Sequence, residues 1–373
     1  MLDVGRHASV APLAVDWSRD FKDPVAQLAS SPDGACLAVA FVEGGIAVLD
    51  VRDGKERWSR QAHASGAHSL AWNAAGTLLA SCGQDGHARL WEAAGGEPVA
   101  ALPGGAQWTT GVAFEPAGER LATAAGKRLR LWDSNGALLV EWPERASTIL
   151  DIAWRPAATG MPLIAATSYG AIGFYDPRFT ERPVREFRWK GSSLALAWSP
   201  NAKYLATGDQ DSSVHFWIVR SGRDLQMSGY PRKVRELTWH HSSRYLATGG
   251  GHYPCIWDCG GRGPAGTTPL QLEFHEEPVS ALAYQHSGGL LASGALDGSL
   301  ALWAPYRSKE PITVRALRDE IASLAWLPGD GGFAAATLGG ELAHYRACGD
   351  VSASVARRSV PFECDTQRER QRA

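Results

Sequence analysis

Residues 63–91 read HASGAHSLAWNAAGTLLASCGQDGHARLW. Within them Leu70-Ala71-Trp72 is a short apolar run ending in a bulky ring. Ala75-Gly76 reverses the chain, Leu78–Ser81 is a second apolar run, and a third ends at Trp91. The same phrase returns eight times. Its leading apolar residue is Leu28, Leu70, Val112, Ile152, Leu196, Leu237, Leu282 and Leu324, at spacings of 42, 42, 40, 44, 41, 45 and 42 residues. A period near forty, with four strand-like runs and tight turns in each unit, is the pattern of a β-propeller blade. The chain is therefore expected to be all-β, with eight blades in a ring.

The repeat occupies most of the 373 residues, so a single domain is expected over residues 10–347. Residues 1–9 read as a flexible N-terminus, and residues 348–373 as a polar, disordered tail. A hydrophobic content of 45% is that of a soluble globular chain, although Trp is abundant at 15. Net charge is −2 and no basic stripe is present, so neither nucleic acid nor an anionic membrane is an expected partner. No run of eighteen apolar residues predicts a transmembrane helix. Met1–Ser9 lacks the pattern of a secretory signal, so a cytoplasmic location is expected. The six Cys are scattered, and Cys36, Cys82 and Cys255 fall inside strands, as buried free thiols would.

Eight first strands are followed by only seven good fourth strands. The missing strand is expected from the N-terminus, because Leu13-Ala14-Val15-Asp16-Trp17 mirrors Leu138-Leu139-Val140-Glu141-Trp142 of the third unit. It would pair beside Glu341–Arg346 and close the ring, leaving no long edge exposed. Val351–Ala356 is the alternative.

The second unit also carries His63 before its first strand, Ser81 on its second, Asp85 in the following turn and Trp91 on its third. The seventh repeats this set with identical spacing: His275, Ser293, Asp297 and Trp303. The fifth keeps Thr207, Asp211 and Trp217 but has Trp189 in place of His. On these residues the chain resembles the WD-repeat family, whose blades carry a hydrogen-bonded structural tetrad of these types. The resemblance implies an eight-bladed WD-repeat β-propeller in which His63 bonds Asp85 and His275 bonds Asp297. A buried indole N–H needs an acceptor, a hydroxyl can relay, and an imidazole can bridge to a carboxylate. A hydrolase triad is the competing reading of Ser, His and Asp. It is the poorer one, because the set ends on a Trp donor and recurs in separate blades.

Two further constellations suggest chemistry. Asp50–Trp58 resembles a docking motif of quinoprotein dehydrogenases, but in one copy and with Asp53 where Thr is expected; a tight turn between third and fourth strands is the better reading. His240, His241 and Cys259 lie in two turns on one face of the sixth unit and are weak candidate metal ligands without C-x-x-C or H-x-x-x-H spacing.

In WD-repeat proteins the loops entering each first strand, with the turns after each second strand, surround the channel mouth and usually meet partners. Here that rim carries Gln107, Trp108, Arg232, Lys233, Asp319 and Glu320, with Gln84, Tyr169 and Gln210 in the turns. Trp108 stands where neighbouring units have small or polar residues, as a hot spot free of core duty would. The expected function is a non-catalytic scaffold presenting this rim to a protein or peptide partner, without a cofactor and monomeric on its own. A metal-handling accessory protein and a propeller enzyme, quinoprotein-like or hydrolase, are the alternatives.

Overall fold

The computed structural model describes residues 11–106, 108–157, 160–261 and 263–346. No α-helix forms among them, and their strands assemble into eight four-stranded antiparallel blades. Blade 1 runs Val25–Ser30, Cys36–Phe41, Gly45–Asp50 and Glu56–Gln61, in that order from the channel outward. Blade 2 repeats the order with Ala67–Trp72, Leu78–Gly83, His87–Glu92 and Pro98–Pro103. Five more blades follow in the same up-and-down order through Thr313–Ala316. The second and third strands are buried on both faces, because a blade packs between two others. The apolar core therefore lies between blades: Leu70, Leu79 and Trp91 of blade 2 pack on Ala38, Ile46 and Val48 of blade 1.

The inner strand of each blade is a sheet edge, since neighbouring inner strands are not paired with each other. Side chains from adjacent blades take up some of its free backbone groups. Ser323 Oγ accepts from Leu28 N at 3.1 Å, Gln27 Oε1 from Leu70 N at 2.6 Å, and Asp151 Oδ2 from Leu196 N at 2.8 Å. Each link joins one blade to the next, so edge satisfaction and ring assembly are the same event.

Tryptophan does the same work on a larger scale. Where the inner strand ends in Trp, the indole N–H donates to a carbonyl of the preceding blade. Trp72 reaches Ala29 at 3.0 Å, Trp154 Ala113 at 2.8 Å, Trp198 Ala153 at 3.3 Å, Trp239 Ala197 at 3.0 Å and Trp326 Ala283 at 2.9 Å. Blade 1 has Ser30 there, and its hydroxyl donates to Trp326 O at 3.0 Å across the seam. On the outside the direction reverses. Trp17, Trp58 and Trp142 donate forward to Val51, Ala93 and Phe179 carbonyls at 2.7, 2.8 and 2.9 Å. Gly54 and Gly96, both at positive φ, leave room for the Trp17 and Trp58 rings; a Cβ at either would lie 2.5 Å from ring carbon.

The N-terminal segment closes the ring, with a shifted boundary. The strand is Val15–Asp20, not Leu13–Trp17, and it pairs antiparallel with Glu341–Arg346 as the outer strand of blade 8. Leu13 lies outside it: its amide donates to Val314 O at 3.3 Å and its side chain is buried between blades 7 and 8. Ala11–Pro12 adds a short fifth, parallel strand to blade 7. Ring closure thus joins the first described residues to the last. The alternative closing segment, Val351–Ala356, and the expectations for residues 1–9 and 348–373 lie outside the described residues.

Two outcomes are expected. Removing residues 1–20 leaves Glu341–Arg346 as a bare edge, so the protein should aggregate or melt at a clearly lower temperature; an unchanged melting curve would place closure elsewhere. Trp17→Phe keeps most of the ring volume but abandons the Val51 carbonyl, and should cost about 1 kcal/mol in urea unfolding.

Candidate functional site

In blade 2 the tetrad side chains are drawn together by the register of the sheet. Ser81 stands opposite Leu70 on one side and Arg89 on the other, two residues from the Trp91 position. Trp91 Nε1 donates to Ser81 Oγ at 3.0 Å, and that oxygen lies 2.9 Å from His63 Nε2. His63 Nδ1 meets Asp85 Oδ1 at 3.0 Å. The proton order running indole, hydroxyl, imidazole, carboxylate gives each of these donors an acceptor. Arg89 donates to Asp85 Oδ2 at 2.8 Å and crowds Nδ1 at 2.7 Å. Burial lowers the His63 pKa against the pull of Asp85, so the ring stays neutral. Burial pushes the Asp85 carboxyl up, but His63 and Arg89 together hold it at about 2. Gly83 completes the site, since a Cβ there would stand 2.5 Å from the His63 ring.

Blade 7 departs from the expected pattern. Trp303 Nε1 donates to Ser293 Oγ at 2.8 Å, and Ser293 Oγ lies 2.6 Å from His275 Nε2. His275 Nδ1, however, meets Ser299 Oγ at 2.5 Å and does not bond Asp297. Asp297 accepts from Ser299 N through Oδ1 and leaves Oδ2 without a partner. The reason is local: position 299, which is His87 in blade 2, here carries a short hydroxyl that inserts between ring and carboxylate.

Across the ring, hydroxyl and indole come and go together. The residue opposite the leading apolar position is Ser81, Thr123, Thr207, Thr248 or Ser293 in the five blades whose third strand ends in Trp. It is Val39, Ala166 or Ala335 in the three that carry Leu49, Tyr175 or Tyr345 instead. A buried indole N–H demands an acceptor, and a blade without the indole has no use for one. The imidazole is replaceable. In blade 6 the Tyr230 hydroxyl takes its place, 2.9 Å from Thr248 Oγ1 and accepting from Trp257 Nε1 at 2.8 Å. In blade 5, Trp189 turns its N–H to Ser193 Oγ at 3.2 Å, and Asp209 stands where blade 2 has Gly83. Both substitutes escaped the sequence reading; an acid at a position that is Gly83 in blade 2 and Ala295 in blade 7 was the available signal.

These sets are interior. The Ser81 hydroxyl belongs to a fully buried residue, out of reach of any substrate. The Asp50–Trp58 stretch is a turn, in which Arg52 and Arg57 bind the Asp50 carboxylate at 2.8 and 2.9 Å. Cys259 is buried with its thiol donating to Trp257 O, and burial drives its pKa upward. His240 bonds Ser242 Oγ at 2.7 Å, and burial lowers its pKa to about 4. Among the described residues no three His, Cys, Asp or Glu side chains gather as a metal site.

The rim is different. Trp108 is 60% exposed on blade 3 and Tyr169 is 64% exposed on adjacent blade 4. Gln84, Gln210, Arg232, Lys233 and Asp319 are exposed, Glu320 is half-buried, and Gln107 lies outside the described residues. Among the described residues Arg232 and Lys233 form no ion pair with the acids of the next two entry loops, Glu276, Glu277, Asp319 and Glu320; Arg318 pairs with Asp20 and Glu341. On the opposite face, loop 176–184 bounds an open cavity of about 1230 Å³. Two of its arginines are internally held, Arg178 by Asp176 at 2.6 Å and Arg188 by Glu186 at 3.0 Å.

The tetrads make separable predictions. Asp85→Ala should cost about 1–3 kcal/mol in urea unfolding, because it strands an imidazole N–H and Arg89. Asp297→Asn should cost clearly less, since Ser299 already satisfies His275. Burial holds His275 at about 4, below its ordinary 6.5, so the folded state resists its protonation. Stability is therefore present above pH 6.5 and is lost as pH falls toward 4. The loss is on the order of 3 kcal/mol from this residue, and His275→Gln should flatten that limb.

The family model for "WD domain, G-beta repeat" matches residues 54–92, 96–133, 182–217 and 266–304. The chain is 25% identical over 279 residues to the transcriptional corepressor LEUNIG_HOMOLOG of Arabidopsis thaliana, covering 73% of this chain and 34% of that protein. It is 23% identical over 288 residues to anaphase-promoting complex subunit cdh1 of Dictyostelium discoideum, covering 74% and 36%. The chain thus spans about a third of the length of these relatives. The crystal structure of the computationally designed Ika8 protein shares the fold, with a TM-score of 0.74 at 18% identity over 90% of this chain and 100% of that one. The chain is a WD-repeat β-propeller of eight blades.

Proposed function

We propose that the protein is a non-catalytic scaffold that takes a protein or peptide partner on the rim formed by its strand-entry loops. One observation carries this reading. Fourteen of the fifteen Trp donate their indole N–H within the protein: five inner, three outer, five to tetrad hydroxyls, and Trp189 to Ser193. Trp108 alone meets no acceptor among the described residues, and it is the most exposed of them. An indole with an apolar face and a free donor, kept in water, is the kind of group that anchors an interface.

Charge on the same rim supports a directional partner. Lys127, Lys190, Arg232, Lys233 and Arg235 are exposed on blades 3–6, the half that also carries Trp108 and Tyr169. Glu276, Glu277, Asp319 and Glu43 are exposed on blades 7, 8 and 1. Asp211 and Glu144 are exposed in the first half and Lys22 and Arg318 in the second, so the bias is partial; it would orient a partner and speed its encounter more than it would add affinity. The names of the two relatives, a corepressor and a subunit of the anaphase-promoting complex, fit a protein that works among other proteins.

Trp108→Ala, and Arg232→Ala combined with Lys233→Ala, should leave the melting temperature within about 1 °C, because exposed changes usually fall within ±0.5 kcal/mol. In affinity purification followed by mass spectrometry, both should lose partners that the wild type retains. The charge variant should also bind with weaker salt dependence. Full retention of every partner by both variants would move the interface to the opposite face.

A further inference from the structure

Blade 5 contains an acid in a place where an acid is costly. Asp209 ends the strand Tyr204–Asp209 and is fully buried, and neither carboxyl oxygen completes a hydrogen bond. It aligns with Gly83 of blade 2, whose hydrogen faces the His63 ring. Blade 5 has Trp189 in place of the imidazole, with its indole N–H on Ser193 Oγ, and the Asp209 side chain starts from the position that faces the ring in blade 2. The hydroxyls of Ser193 and Thr207 and the backbone of His215 lie near it and hold back part of the rise that burial imposes. Thr207 in turn accepts from Trp217 Nε1 at 3.5 Å, a long bond beside the 3.0 and 2.8 Å bonds of blades 2 and 7.

An unpaired carboxylate in such a place is far less favourable than the neutral acid, which can donate to a hydroxyl. No cation is placed to rescue it. The His215 imidazole is turned to Asp224 at 3.1 Å. The nearest charge in the turn, Asp211, is an acid and adds to the penalty. From blade 6, Val234 N donates to Asp209 O at 3.2 Å, but Arg232, Lys233 and Arg235 beside it are exposed. Lys190 in the entry loop is exposed too, and Glu236, just before the strand Leu237–Trp239, is an acid. Burial, reinforced by Asp211, accordingly raises Asp209 to about 8.

We propose that Asp209 is a pH-responsive latch of blade 5: as the neutral acid it stands in for the tetrad imidazole and holds the entry loop against the sheet, and on ionisation it releases that corner. The corner carries Gln210 and the loop at Trp189–Ser193, so the latch acts on the rim. The sign follows from linkage. Between the ordinary carboxyl value of 3.8 and about 8, the folded state holds a proton that the unfolded state has lost. The contribution is fully present below pH 3.8 and is lost as pH rises, by about tenfold in the unfolding constant per pH unit. It levels off above pH 8.

The test compares urea unfolding of the wild type and Asp209→Asn from pH 5 to pH 9. The ratio of their unfolding constants should rise about tenfold per unit up to about pH 8 and then flatten. Asp209→Gly, which restores the residue found in blade 2, should lose the same pH dependence and guards against a poorly folded amide. Hydrogen exchange should show residues 189–193 and 209–213 less protected at pH 9 than at pH 6 in the wild type, after correction for intrinsic rates, and unchanged in Asp209→Asn. Parallel pH curves for the wild type and both variants would overturn the proposal.

Discussion

The buried indole N–H is the constraint on which the rest of this molecule depends. It is a single donor on a large apolar body, and it cannot be left unpaired away from water. A blade packs on its neighbours through apolar surface alone, which gives attraction but no angle. The indoles supply the angle. Inner Trp residues reach back to the preceding blade and outer ones reach forward to the next, so six of the eight interfaces are fixed near the channel, at the circumference, or at both; the interfaces of blades 2–3 and 6–7, where the inner strand ends in Phe114 or Tyr284, have no such indole. At the seam, where Ser30 replaces the inner ring, a hydroxyl keeps the link and Trp17 carries the outer one.

The same constraint explains which parts of the repeat vary. Hydroxyl and indole are retained or discarded as a pair, because each is unfavourable without the other. The imidazole and the acid are looser, since water and loop backbone lie within reach of the blade's end. Hence His63, His275, Tyr230 and Asp209 are four solutions to one steric problem. Only the last leaves its polar atoms unmatched, and only it loosens its corner as pH rises.

Structure and recognition divide along the same line. Trp residues that hold the ring are unavailable to partners, and the one indole outside that network stands on the rim. The exposed charges of the rim lie in loops that the ring holds in place but whose composition it does not restrict. Such loops can vary without disturbing the blades.

Sequence by itself determined the number of blades, their order and the complete His63, Ser81, Asp85 and Trp91 tetrad of blade 2. These depend on period and on residue type at fixed offsets, and both are local. It also identified the source of the closing strand, because the shortage of strands could be counted. The exact closing residues, Val15–Asp20, were decided by the register with Glu341–Arg346 and by Trp17 seating over Gly54. The parting of His275 from Asp297 was likewise tertiary, since it turns on whether a hydroxyl two residues away can insert. The blade-to-blade indole bonds span about forty residues of sequence, and their acceptors are backbone carbonyls. A carbonyl has no side-chain signature, so the interaction that holds the ring together is visible only when the ring is built.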